Sequence, residues 1–262
     1  MVINPYIMIF LLVFVRILSL FSLTPLIGAP QVPNLYKIGL AIFLAQTVVT
    51  TLTTHQLTLK LQHLSLLHLF YYVVQEALAG FSIGLIVITV FAAVEFAGEL
   101  LDVQIGFSVA TLVSPGMTSP AGILANFNNI IFSLLFITGH GLSTIVLAIL
   151  ESFRYLPLGV PVFSGQLANV LLQMLVNLSV IGIQLAAPVL LAAFMTNVAL
   201  AVTSRLVPQI NVFVVGFPLV LFLGLMMLGI MMPGMIYVMN NILDSMNNQI
   251  ATILQAMGGV IG

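Results

Sequence analysis

The sequence predicts an all-α chain of polytopic hydrophobic helices, several of them kinked or broken. Three observations lead there. Hydrophobic residues make up 61% of the 262 residues and charged residues only 4%, against about 25% charged in an ordinary soluble domain. Apolar runs long enough for helices recur along the chain, separated by short segments rich in Pro, Gly or polar residues. No internal repeat, low-complexity segment or soluble domain interrupts them, so residues 1–262 are read as one integral-membrane domain. The composition fits a polytopic membrane protein, or a subunit covered on nearly all sides by other apolar subunits.

Composition also removes several function classes. The net charge of −1 leaves no electrostatic footprint for nucleic acid or for an anionic membrane surface. The absence of cysteine removes disulfides, thiolate metal sites and cysteine nucleophiles together. Trp is absent too, so six Tyr replace the usual interfacial aromatic belt only in part.

The first apolar run, about Tyr6 to Leu23, lacks a basic leader and carries Arg16 inside it, which reads as a retained first helix. Pro25, Gly28, Pro30 and Pro33 break the chain after it. A second run covers about Ile38 to Thr54, followed by a polar segment from His55 to His68. The third, about Leu69 to Asp102, exceeds the roughly 20 residues of a simple span and must tilt, project or break. Gly80 and Gly84 within it form a GxxxG that admits a close helix neighbour.

The fourth run, about Ile123 to Phe153, is interrupted at Gly139-His140-Gly141, and a loop with Pro157 and Pro161 follows. The fifth, about Leu167 to Val202, carries Pro188 and predicts a kink there. The sixth, about Val212 to Met232, holds Pro218 and is expected to end at Pro233-Gly234, with an amphipathic helix beyond it. Six spans put Lys37 and Arg205 on one side and Lys60 and Arg154 on the other, with Arg16 inside a span, so positive charge assigns no orientation.

The segment Glu95 to Pro120 stands out. It holds three of the six acidic residues of the chain. Glu95, Glu99 and Asp102 fall on one helix face at spacings of four and three. Charged carboxylates in hydrocarbon cost at least about 2.5 kcal/mol each, so this polar face requires water, a cationic partner or protonation. It reads either as a polar pore lining or proton site, or as a helix end emerging into water.

Elsewhere, His140 between two glycines fits a proton relay or a hydrogen bond across helices. His55, His63 and His68 lack the four-residue spacing of a helical ligand pair, and no metal or cofactor is expected. Glu76, in an apolar run, fits a structural pair or transport chemistry, and Arg16 is a candidate partner for it; Glu151 and Arg154 read mainly as a solvated span end where the two can pair. Met226, Met227, Met231, Met232, Met235 and Met239 fit either a repackable surface or ordinary packing. No nucleophile elbow, phosphate loop or zinc pair is present, so no catalytic residue is assigned.

Four stretches carry a resemblance. They are VRILSLFSLTPLIGAPQVPNLYKIGLAIFLA, EFAGELLDVQIGFSVATLVSP, TGHGLSTIVLAILESFRYLPLG and APVLLAAFMTNVALAVTSRLVPQINVFVVGFPLVLFLGL. The last places Pro188, Asn197, Arg205, Pro208, Gln209, Asn211, Gly216 and Pro218 in the family's order. In these the chain resembles the R subunit of the flagellar type III export gate, the FliR family. The virulence-type secretion T subunit shares the design and stands second.

The resemblance implies a non-enzymatic subunit packed as helical hairpins in a larger export-gate assembly. Its partners would be P-like and Q-like gate subunits, other export-apparatus membrane proteins and unfolded rod, hook and filament proteins. Its place would be the bacterial inner membrane, at the flagellar basal body. The resemblance also implies that the loop from about Gln104 to Pro120 plugs the closed conduit. Within it, Gly106 and Gly116 permit bends, Phe107 supplies bulk, Ser108, Thr111, Ser114, Thr118 and Ser119 keep it polar, and Pro115 and Pro120 limit its freedom. Its middle, SPGMTSP, is short and uncharged. A competing reading, a proton-coupled transporter of a small solute working through the Glu95 face, predicts internal repeats that the sequence lacks.

Overall fold

The computed structural model describes residues 5–51, 66–108, 122–159, 165–207 and 212–258. Seven helices form among them, and no strand: α1 (Pro5–Leu23), α2 (Asn34–Thr51), α3 (Leu66–Ile105), α4 (Ile123–Thr138), α5 (Gly141–Tyr155), α6 (Gly165–Leu206) and α7 (Val212–Gly258). The chain is all-α. Two compact units result, one from residues 1–90, 139–175 and 244–262, the other from residues 91–138 and 176–243.

Among the described residues, four helices are long and apolar enough to cross a membrane, over Tyr6–Leu23, Leu67–Ile105, Leu172–Leu206 and Val214–Met257. The interrupted α4–α5 pair makes a fifth if counted as one broken span. The sixth expected span is the second apolar run, about Ile38 to Thr54, whose end lies outside the described residues. Its described part forms helix α2, in which Asn34, Lys37, Gln46, Thr47, Thr50 and Thr51 dilute the apolar character.

A correction concerns Pro233-Gly234, where the sixth run was expected to stop. One helix of 47 residues runs through both Pro218 and Pro233. Proline removes one donor and crowds the preceding turn, but apolar flanking turns and the helix-satisfying pressure of an apolar medium hold such a helix together. Pro188 lies inside α6, which runs from Gly165 to Leu206. The amphipathic tail is present, as the last part of α7: Ile242, Met246, Ile250, Ile253, Leu254 and Met257 are buried, while Asp244, Asn247, Asn248 and Gln255 are exposed.

In the first unit, α1 is anchored from one buried residue. Arg16 is 1% exposed. Its Nε donates to Glu76 Oε2 at 2.6 Å, Nη1 to Ser152 Oγ at 3.2 Å and Nη2 to the Leu156 carbonyl at 3.0 Å. The guanidinium carbon lies 4.1 Å from the centroid of the Phe153 ring. The other Glu76 oxygen accepts from the Gly159 amide at 3.2 Å. A buried charge is tolerated when it is paired and hydrogen-bonded, and here each guanidinium nitrogen and each carboxylate oxygen has a partner. The pair ties α1, α3 and α5 to one another.

The GxxxG of α3 sits against the same helix. A methyl group at Gly80 would collide with the Arg16 carbonyl and the Ser19 hydroxyl, and one at Gly84 with the Leu20 carbonyl. Helix backbones approach this closely only where side chains are absent. Glu151 and Arg154, by contrast, are both exposed and make no ion pair. In the second unit, Phe91 of α3 packs edge-on against Phe132 of α4 at 4.8 Å between centroids and meets Phe136 at 5.5 Å.

Candidate functional site

The site is the base of the 103–122 segment, where α3 ends and α4 begins. Helix α4 starts at Ile123 with Gly122 before it. The first turn of any helix exposes amide donors without intrahelical acceptors. They are ordinarily met by a Ser, Thr, Asp or Asn side chain at the N-cap, and Gly122 has none to offer. The acceptor comes instead from the end of α3. Asp102 Oδ1 accepts from the Leu124 amide at 3.0 Å, and Oδ2 from the Leu124 and Ala125 amides at 3.1 Å each.

The carboxylate is only 4% exposed. Negative charge at a helix N-terminus is also favoured by the helix dipole. Two glycines make the approach possible. A methyl at Gly122 would run into the Asp102 carboxylate, and one at Gly98 into the backbone of Ala125. A staple therefore closes the base of the loop, holding its two ends together whatever lies between them.

The three carboxylates of the acidic face thus have three different environments. Asp102 is buried as a remote helix cap, Glu95 is half-buried and Glu99 is exposed. Spacing puts them on one side of α3, but only Asp102 reaches the start of α4.

Just past the staple the chain leaves α3. The Gly106 amide still donates to the Asp102 carbonyl at 3.2 Å, and Gly106 then turns with φ of +98°. Only glycine enters that region freely. An added Cβ would also stand 3.1 Å from the Phe217 ring of α7. Around this turn lies a largely apolar groove of about 340 Å³, lined by Gln104, Gly106, Asn197, Leu200, Gly216 and Phe217 among others.

Of the residues proposed from sequence for the loop, Gln104 is exposed, and Gly106, Phe107 and Ser108 are half-buried. Ser114, Pro115, Gly116 and Pro120 lie outside the described residues, as do Thr111, Thr118 and Ser119. Asn197 and Gly216, noted in the sequence only as motif positions, share the groove with Gln104 and Gly106. Sequence reading missed Gly122 and Phe217. The missing cap at the start of α4 was the signal for the first; nothing local signals the second.

Residues proposed elsewhere are less concentrated. His140 is exposed at the head of α5, where its carbonyl accepts from the Thr144 amide at 2.8 Å and its side chain makes no capping bond. His68 is exposed, and His55 and His63 lie outside the described residues. No group of three His, Asp or Glu gathers as a metal site among the described residues. Within the methionine cluster, Met226 is exposed while Met235 and Met239 are buried.

Residues 7–246 match the bacterial export proteins, family 1. The chain belongs to this family. Among its relatives, it is 32% identical to the flagellar biosynthetic protein FliR of Bacillus subtilis (strain 168) over 251 residues, covering 93% of this chain and 95% of that one. It is 28% identical to the FliR of Escherichia coli (strain K12) over 242 residues, 92% and 91% of the two chains. Similarity to the Yop proteins translocation protein T of Yersinia pestis is 32% over 150 residues, 55% of this chain and 56% of that one. The export-family match spans both the staple and the groove, from α1 into the amphipathic end of α7.

Proposed function

We propose that this chain is a non-enzymatic subunit of the flagellar type III protein export gate, and that its loop from about Gln104 to Pro120 plugs the conduit for unfolded rod, hook and filament proteins. The observation that carries the first part is the likeness to flagellar proteins over nearly the whole of both chains. The virulence-type T protein is matched over little more than half, so the flagellar assignment is preferred. The chain works in the bacterial inner membrane, at the flagellar basal body, as one integral-membrane domain with P-like and Q-like gate subunits beside it.

Geometry supports the plug. A removable stopper requires fixed ends. The Asp102 staple fixes the ends. Gly106 supplies the turn out of α3, and Phe217 bears on it from α7. Gln104, Phe107, Ser108, Ser114, Pro115, Gly116 and Pro120 make up the working part, with bulk at Phe107 and detachable polar contacts from the serines. Glu95 and Glu99 stay on the α3 face that leads to it.

Partner exposure supports the assembly. Large apolar side chains face outward on α2 and on the first half of α7, with Leu35 80%, Phe43 67% and Phe222 66% exposed. Extraction from flagellated cells in mild detergent is expected to yield the chain in a fixed stoichiometry with P-like and Q-like subunits. Recovery of the chain alone, active in solute uptake in vesicles, would instead establish the transporter reading.

A further inference from the structure

The first unit holds a cavity unrelated to the loop. It measures about 220 Å³ and lies between α2 and α5. One wall is Leu44, Thr47, Val48 and Thr51, spaced so that they form one face of α2; the other is Val146, Ile149, Leu150 and Arg154 on one face of α5. Each wall runs about two helical turns, or roughly 10–12 Å at 1.5 Å per residue.

The lining is apolar except for one cation and two hydroxyls. Arg154 stands exposed in the last turn of α5 without an ion pair. Arg16, by contrast, is ion-paired and has a partner on each guanidinium nitrogen, and the Lys37 ammonium donates to the Gly28 and Ala29 carbonyls. The hydroxyl hydrogens of Thr47 and Thr51 are spent on carbonyls of their own helix. What they offer a ligand is lone pairs, so they take donors, whereas Arg154 takes acceptors.

These features describe an amphiphile. Its tail is apolar and slender, in keeping with a volume of about 220 Å³ between two helix faces. Its head carries an anionic oxygen group, which a guanidinium binds in a fork, and hydroxyl donors for the threonines. We propose that the cavity binds one acyl chain of an anionic phospholipid with a hydroxyl-bearing headgroup, its phosphate on Arg154. The net charge of the chain attracts no anionic surface in general, so the site is local. It does not depend on the plug assignment.

Native mass spectrometry of the detergent-extracted complex tests this, with phosphatidylglycerol and phosphatidylcholine of identical acyl chains supplied as probes. The expected result is a retained phosphatidylglycerol adduct, at least tenfold weaker in Arg154→Gln and unchanged in Arg205→Gln, which removes an exposed cation in the other unit. Val146→Phe, at a 40% exposed wall position, is expected to displace the adduct with Arg154 intact. Equal retention of both lipids, or no effect of either cavity variant, would overturn the proposal. So would a photo-crosslinker at Val146 that captures a neighbouring subunit in place of lipid.

Discussion

Replacing Asp102 by Ala removes the acceptor from both amides at the head of α4. Leu124 is 4% exposed and Ala125 is fully buried, so water does not readily take over. A buried donor left without a partner costs about 1–3 kcal/mol, and loss of an N-cap costs about 0.5–2 kcal/mol. These describe overlapping losses, so the net expectation is about 2–3 kcal/mol, with both amides sharing it. At tenfold per 1.4 kcal/mol, that accelerates local opening about 30- to 150-fold.

Amide hydrogen exchange on the purified complex reads this directly, at peptides covering the start of α4. Asp102→Asn keeps one neutral oxygen and is expected to show a smaller acceleration. Glu99→Gln, at an exposed position on the same helix, is expected to show none. If the start of α4 exchanges no faster in Asp102→Ala than in the parent, the carboxylate does not hold the helix and the staple argument fails.

Arg16→Ala or Glu76→Ala strands a buried charge and is expected to cost about 3–5 kcal/mol, while Arg16→Met with Glu76→Leu should recover most of it, as read by thermal unfolding of the complex. Gly80→Ala forces a methyl into the α1 backbone and should cost about 1–3 kcal/mol; Gly39→Ala, where a methyl meets nothing within 4 Å, is the matched control and should not destabilise. Gly106→Ala forces a left-handed backbone on alanine at about 1–3 kcal/mol and adds a contact with Phe217, so Phe217→Ala should relieve only part of the loss, measured by exchange at residues 104–108.

Much of the first unit was legible because its interactions are announced by rarity. One arginine and one glutamate in long apolar runs have few partners available, and Gly80 and Gly84 stand at the spacing of a close helix contact. The amphipathic end of α7 was legible by its period. The staple was not, since its two halves are 22 residues apart in sequence and the acidic spacing drew attention to a shared face. The capless start of α4 and the lone acid at the end of α3 are complementary only once they are brought together.

Proline misled in one direction. Pro233-Gly234 reads as a stop by local chemistry, yet α7 continues because its flanking turns remain apolar and helical. The second apolar run was legible as helix α2, and its six polar residues set it apart from the four longer apolar helices. Asp102 and Gly106 anchor the plug at its base.

The most direct measurement is ion conductance of the assembled complex in planar bilayers, with and without residues 106–115. A plug held at its base predicts that the parent complex is closed, and that the deletion opens a steady conductance while the complex keeps its subunits. A deleted complex that assembles and stays as tight as the parent would contradict the account.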